Sequence, residues 1–190
     1  NHEAGCLGRL ELEWFNDAAR SALVWTRDQL SVGELDLLRR LPLTAVEEPF
    51  TLVHGTLTHP QRFEYLVEAG QALDTLSACR TLLCLVGHTH LPFVVDYDRA
   101  ERRLRRMLTR AQDLHDVVYD DRPDRHRVLV NPGSVGQPRD GDPRASVALI
   151  DTDAKRIAIR RIPYDIAGAQ WKIRQAGLPP FLADRLAQGR

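Results

Sequence analysis

An α/β fold, with two sheets sandwiched between helical layers, is what the sequence predicts. Helical spacing and short apolar runs interleave in the first half, and strand-like runs follow one another in the second. With 190 residues and 43% hydrophobic content the chain can bury a core, and residues 1–190 are read as a single domain.

Taken in order, Phe15, Ala18, Ala19, Ala22, Leu23 and Leu30 recur at helical spacing, which predicts an amphipathic helix over residues 14–30. Ser31 followed by Glu34 is a capping box, so a second helix opens there, turns Leu35, Leu38 and Leu41 inward and stops at Pro42. Phe50-Thr51-Leu52-Val53 is a short buried strand. Residues 62–79 read as helix, with Gly70 as a point of interruption, and Leu82-Leu83-Cys84-Leu85-Val86 is the next strand. Residues 93–98 continue in β character, and Val128-Leu129-Val130 is another strand. Residues 147–151 and 156–162 flank Asp153-Ala154 as a hairpin. A helix over residues 165–176 is broken by Gly177-Leu178-Pro179-Pro180 before a last short one. Trp14, Trp25 and Trp171 fall at helical positions and are assigned to helix packing.

Composition narrows the partners. Lys+Arg 26 against Asp+Glu 26 leaves no overall field to favour a nucleic acid or an anionic membrane. The six arginines at 99, 102, 103, 105, 106 and 110 are best read as a solvated hairpin arm or helix face. The apolar runs are strand-sized, short of the roughly 20 residues that span a bilayer. Cys6, Cys79 and Cys84 form an odd set without CxxC spacing, which fits a reducing, cytoplasmic compartment, and Cys84 inside its run reads as a small buried hydrophobe. The only methionine is Met107 and a motif already stands at residue 1, so the natural N-terminus is expected to lie upstream.

The chemistry concentrates at histidines. One apolar run ends at His54-Gly55, the next at Gly87-His88-Thr89-His90, and the chain opens on Asn1-His2-Glu3. Side chains alternate in an extended segment, so His88 and His90 are expected on one side. Each segment brings a nitrogen or oxygen donor to a strand-to-loop junction, where α/β folds build ligand sites. Neutral imidazole suits Zn, Mn, Fe or Ni, and an asparagine carbonyl donates oxygen without adding charge where a phosphate must approach. Because such histidines must be deprotonated, occupancy should fall below about pH 6. The loop Asn131-Pro132-Gly133-Ser134-Val135-Gly136-Gln137-Pro138-Arg139 can turn backbone amides toward an anion. Asn131 and Arg139 are its candidate substrate contacts, with Arg144 as a further guanidinium fork. His59 lies in the loop after His54, while His115 and His126, in polar surroundings, are read as surface residues.

In this order, Asn1-His2-Glu3, His54-Gly55, Gly87-His88-Thr89-His90 and the Asn131 loop resemble the later motifs of the calcineurin-like metallophosphoesterases, in a bacterial branch of phosphodiesterases and diadenosine-tetraphosphatase-like enzymes. The resemblance implies the αββα sandwich and two divalent ions, Mn, Fe, Zn or Ni. Asn1, His54 and His88 would hold one ion, His90 would contribute to the other, and His2 would act as general acid or electrostatic stabiliser. The implied reaction is hydrolysis of a phosphate monoester or diester by a metal-bridging hydroxide, on a small phosphate ester or a phosphoprotein. The family's D-x-H and G-D segments precede the point where this chain opens, roughly 60 residues of βαβ-sized sequence. The chain alone is therefore expected to bind metal poorly and hydrolyse little. One rival is a non-catalytic scaffold on the same fold, from which the retained His2 distinguishes this chain. The other is a nuclease using arginines 102–106.

Overall fold

In the computed structural model, which describes residues 1–190, the chain divides into two compact units, Asn1–Pro42 with Asp165–Gln188, and Leu43–Tyr164 with Gly189–Arg190. Along the chain run α1 (His2–Cys6), α2 (Asp17–Gln29), α3 (Val32–Arg40), β1 (Thr44–Glu47), β2 (Phe50–Val53), α4 (Ala69–Ala78), β3 (Leu83–Leu85), β4 (Pro92–Asp98) and β5 (Arg103–Leu108). They are followed by β6 (Val117–Val118), β7 (His126–Pro132), β8 (Ala145–Asp151), β9 (Arg156–Ile162), α5 (Ile166–Gln175) and α6 (Pro180–Asp184). The architecture is mixed α/β, two sheets flanked by helices.

In the first unit, side chains close the exposed N–H groups at helix starts. Asn16 accepts from Ala19 N–H at 3.0 Å, and the capping box is formed, with Glu34 accepting from Ser31 N–H at 2.7 Å and Ser31 Oγ accepting from Glu34 N–H at 3.3 Å. The small core is Cys6, Phe15 and Leu23. Two expectations need correction. No residue of α3 is fully buried: Leu35 and Leu38 are half-buried and Leu41 is 51% exposed. The tryptophans are not packing residues either, since Trp14, Trp25 and Trp171 are 73%, 39% and 59% exposed. Helical spacing picks out a face, but only the tertiary arrangement decides whether that face is covered.

The second unit holds a six-stranded sheet in the order β1-β2-β3-β7-β4-β5 and a three-stranded sheet in the order β6-β9-β8. Strands β2, β3 and β7 are parallel neighbours, while β1, β4 and β5 join antiparallel. Both faces of the large sheet are buried, which explains apolar runs that do not alternate with polar residues. On one face Cys84, Val86, Val95 and Leu129 pack with Ala72 and Leu76 of α4. On the other Leu83, Val94, Val128 and Val130 pack with Ile157 and Ile159 of the small sheet. The arginine-rich segment is a hairpin arm: β5 pairs only with β4, at the sheet edge, and its arginines are exposed.

The helix read over residues 62–79 begins only at Ala69, capped by Glu68, and Gly70 lies in its first turn without interrupting it. Phe63 takes a left-handed φ of 49°, which an α-helix cannot contain. His126 is buried, not a surface residue. It is 1% exposed, its Nε2 stands 3.1 Å from an Asp120 carboxylate oxygen and its Nδ1 3.6 Å from Asp96, so it is enclosed beside two carboxylates. Strands β1 and β6 carry too few apolar residues to be read as strands without their partners.

Candidate metal centre

Neighbouring parallel strands end side by side, and this places the histidines. β2 pairs with β3, and the contact continues past both ends, Gly87 N–H donating to the His54 carbonyl at 2.9 Å. The His54 and His88 rings consequently meet, with centroids 4.7 Å apart. His54 is exposed and His88 is 7% exposed.

Residues 87–90 are not the extended segment that alternation assumed. His88 and His90 both adopt left-handed backbone, φ 64° and 62°, a conformation costing roughly 1–2 kcal/mol for a residue with a Cβ. Local strain of this kind is held only where surrounding bonds over-determine it. Here Thr89 N–H donates to the Gly87 carbonyl at 2.7 Å, and the buried Asn131 side chain donates to both the Gly87 carbonyl and Thr89 Oγ1 at 2.9 Å. His90 turns toward the Asn131 loop, where its Nδ1 lies 2.7 Å from the Gln137 carbonyl. A carbonyl can only accept, so Nδ1 carries the proton and the lone pair is on Nε2, the tautomer of a metal-binding histidine.

The structure thus brings His54 and His88 together and ties His90 to Arg139 through Gln137. Arg139 N–H donates to the His90 carbonyl at 3.3 Å and its guanidinium to Gln137 Oε1 at 3.0 Å. Asn131, 0% exposed, also accepts at Oδ1 from Gly133 N–H at 3.0 Å, so its carboxamide braces the turn from within. Arg144 forks onto Asp142 at 2.6 and 2.9 Å. Asn1 and His2 belong to the other unit, Asn1 as the N-cap of α1 and His2 with its ring 5.8 Å from that of Phe15, edge to face.

Burial, then the adjacent His54 ring, pushes His88 down to about 4, so it is a neutral donor at physiological pH. That neutrality is what a metal ligand requires, and the imidazole pair fits a divalent cation by its chemistry. No three His, Cys, Asp or Glu side chains converge to cage an ion by themselves. The depressed value has a consequence for stability. From about pH 6.5 down to about 4 the unfolded chain takes up a proton at His88 that the native protein refuses, so this group's contribution is present above pH 6.5 and is lost as the pH falls. Thermal melts are expected to show a Tm that declines across this interval, with the decline reduced in His88→Asn.

Residues 63–65, which sequence reasoning placed in a helix and gave no role, lie against this pair. The Tyr65 ring stacks on His88 with centroids 3.9 Å apart and planes 12° apart, and the Phe63 ring meets His54 edge-on at 6.2 Å. Gly55 permits the approach, because a Cβ there would stand 2.5 Å from the Glu64 carbonyl oxygen. Gly55→Ala is accordingly expected to destabilise the protein by about 2 kcal/mol, as overpacking does, in urea unfolding.

The sequence pattern of the calcineurin-like phosphoesterase superfamily domain matches residues 16–155, and the chain belongs to that family, whose members generally use divalent metals. It is 35% identical over 195 residues to an uncharacterized protein of Methanocaldococcus jannaschii, covering 100% of this chain and 74% of the relative. The crystal structure of a metallophosphoesterase from Sphaerobacter thermophilus superposes with a TM-score of 0.80 at 40% identity, over 100% of this chain and 75% of that one. A hypothetical protein from Pyrococcus horikoshii gives 0.71 at 17% identity, over 100% and 71%, an agreement of fold.

Proposed function

We propose that the protein is a dinuclear metal-dependent phosphoesterase acting on a phosphate monoester or diester. The observation that carries this is the His54–His88 pair at adjacent strand ends, 4.7 Å between centroids, within a chain of this family. In this reading His54 and His88 are ligands of one ion and His90 a ligand of the second. Two bound divalent ions, drawn from Mn, Fe, Zn and Ni, supply charge stabilisation for phosphoryl oxygens and acidify a water. The protein's own groups do the rest. His88 stays neutral, His90 is held as the Nδ1–H tautomer, and Arg139, one hydrogen bond from His90, offers its guanidinium to a phosphoryl oxygen. His2 serves as general acid or as an electrostatic stabiliser of the leaving oxygen. The substrate is a small phosphate ester or a phosphoprotein. A cytoplasmic setting belongs to the same reading, supported by three buried free thiols, and no helix is long and apolar enough to cross a membrane.

Initial rates of the full-length protein on p-nitrophenyl phosphate and bis(p-nitrophenyl) phosphate, with Mn, Fe, Zn or Ni added singly, test the proposal. Hydrolysis that requires metal and is abolished by a chelator is expected. A folded full-length protein that is inactive with all four metals would overturn it and leave the scaffold reading.

A further inference from the structure

We propose that residues 63–65 form a bracket that sets the orientation of His88, with Tyr65 as its positioning residue. The proposal rests on the metal-centre reading for what His88 does, but the bracket itself is a property of the chain. Two ring contacts come from this segment: the Tyr65 ring lies flat on the face of His88 at 3.9 Å and 12°, and the Phe63 ring meets His54 edge-on at 6.2 Å. The stacked ring stops rotation about the side-chain bonds of His88. A histidine held this way presents its ring nitrogens in a fixed direction, as groups that orient a metal ligand do.

Three features of the segment serve this placement. Phe63 takes a left-handed φ of 49°, ending the short turn Pro60–Arg62 and redirecting the chain toward His88. Glu64, between the two contacts, passes directly over Gly55, where its carbonyl oxygen would stand 2.5 Å from a Cβ. Leu66, 2% exposed, then anchors the segment in the core with Val53 and Leu76. Tyr65 itself remains 47% exposed. Burial of its own apolar surface does not explain its position, whereas cover for the nearly buried His88 does. The glycine after His54 thereby acquires a reason: it lets the bracket reach the neighbouring strand's histidine.

Histidine ring resonances give the direct test. Spectra of the metal-free protein are expected to show the carbon-bound protons of His88 displaced upfield by the stacked ring. Tyr65→Ala should remove the displacement, Tyr65→Phe should preserve it, and Tyr65→Leu should keep the bulk while losing the displacement. Titration with Zn2+ alone should give a dissociation constant raised at least tenfold in Tyr65→Ala, the range seen when groups orienting a metal ligand are removed, and within about twofold of wild type in Tyr65→Phe. Wild-type imidazole shifts in Tyr65→Ala and Tyr65→Leu, or unchanged Zn2+ affinity in both, would overturn the bracket. Absence of hydrolysis in the wild type would defeat the proposed function and leave these spectra unaffected.

Discussion

His88→Asn is expected to lower kcat/KM for bis(p-nitrophenyl) phosphate by on the order of 10³-fold, because losing one metal ligand forfeits several kcal/mol of charge stabilisation in the transition state. Asparagine is the informative replacement. The residue sits at φ 64°, and asparagine is among the few side chains that tolerate this region, so the backbone of the turn can persist while the imidazole is removed. The variant also loses the Tyr65 stack, so stopped-point kinetics should be paired with a melting curve. Native-like melting with the activity loss assigns His88 to the chemistry. A rate within tenfold of wild type would remove His88 from the centre and take the dinuclear proposal with it.

Asn131→Ala is expected to cost about 3 kcal/mol of stability, since three side-chain hydrogen bonds are lost at once and each contributes roughly 1 kcal/mol. Those bonds join the side chain, itself 0% exposed, to the Gly87 carbonyl, Thr89 Oγ1 and Gly133 N–H, all within 3.0 Å. Asn131→Asp should be at least as damaging despite its matching shape, because a carboxylate would face the Gly87 carbonyl with no proton to donate. Activity should fall with stability, since the same bonds hold the left-handed turn that carries His88 and His90. Urea unfolding is the measurement, and a loss below 1 kcal/mol for the alanine variant would show that the turn holds without this brace.

Asn131 also marks the boundary of what could be read in advance. Its loop announces itself by Pro-Gly, and the anion-facing role assigned to it followed from residue type alone. Only coordinates show the carboxamide turned inward. The left-handed residues 88 and 90 are a similar case, because the apolar run before them suggests that extension continues, while the strand stops at Leu85. Tyr65 was invisible for a different reason. Its neighbours have helical spacing, and nothing local reveals that Gly55, ten positions earlier, leaves room for the segment to cross over.

Chain order and side-chain chemistry were sufficient for the mixed α/β frame, for the capped helix at Ser31 and for histidines at strand ends, since these depend on patterns that recur within a few residues. The tertiary structure alone decided which faces are covered, leaving Trp14 and Leu41 exposed and His126 enclosed. It also decided that His54 meets His88, because β2 and β3 were set side by side by hydrogen bonds between segments some thirty residues apart. Periodicity is a property of a segment, whereas burial and the meeting of two rings depend on which segments become neighbours.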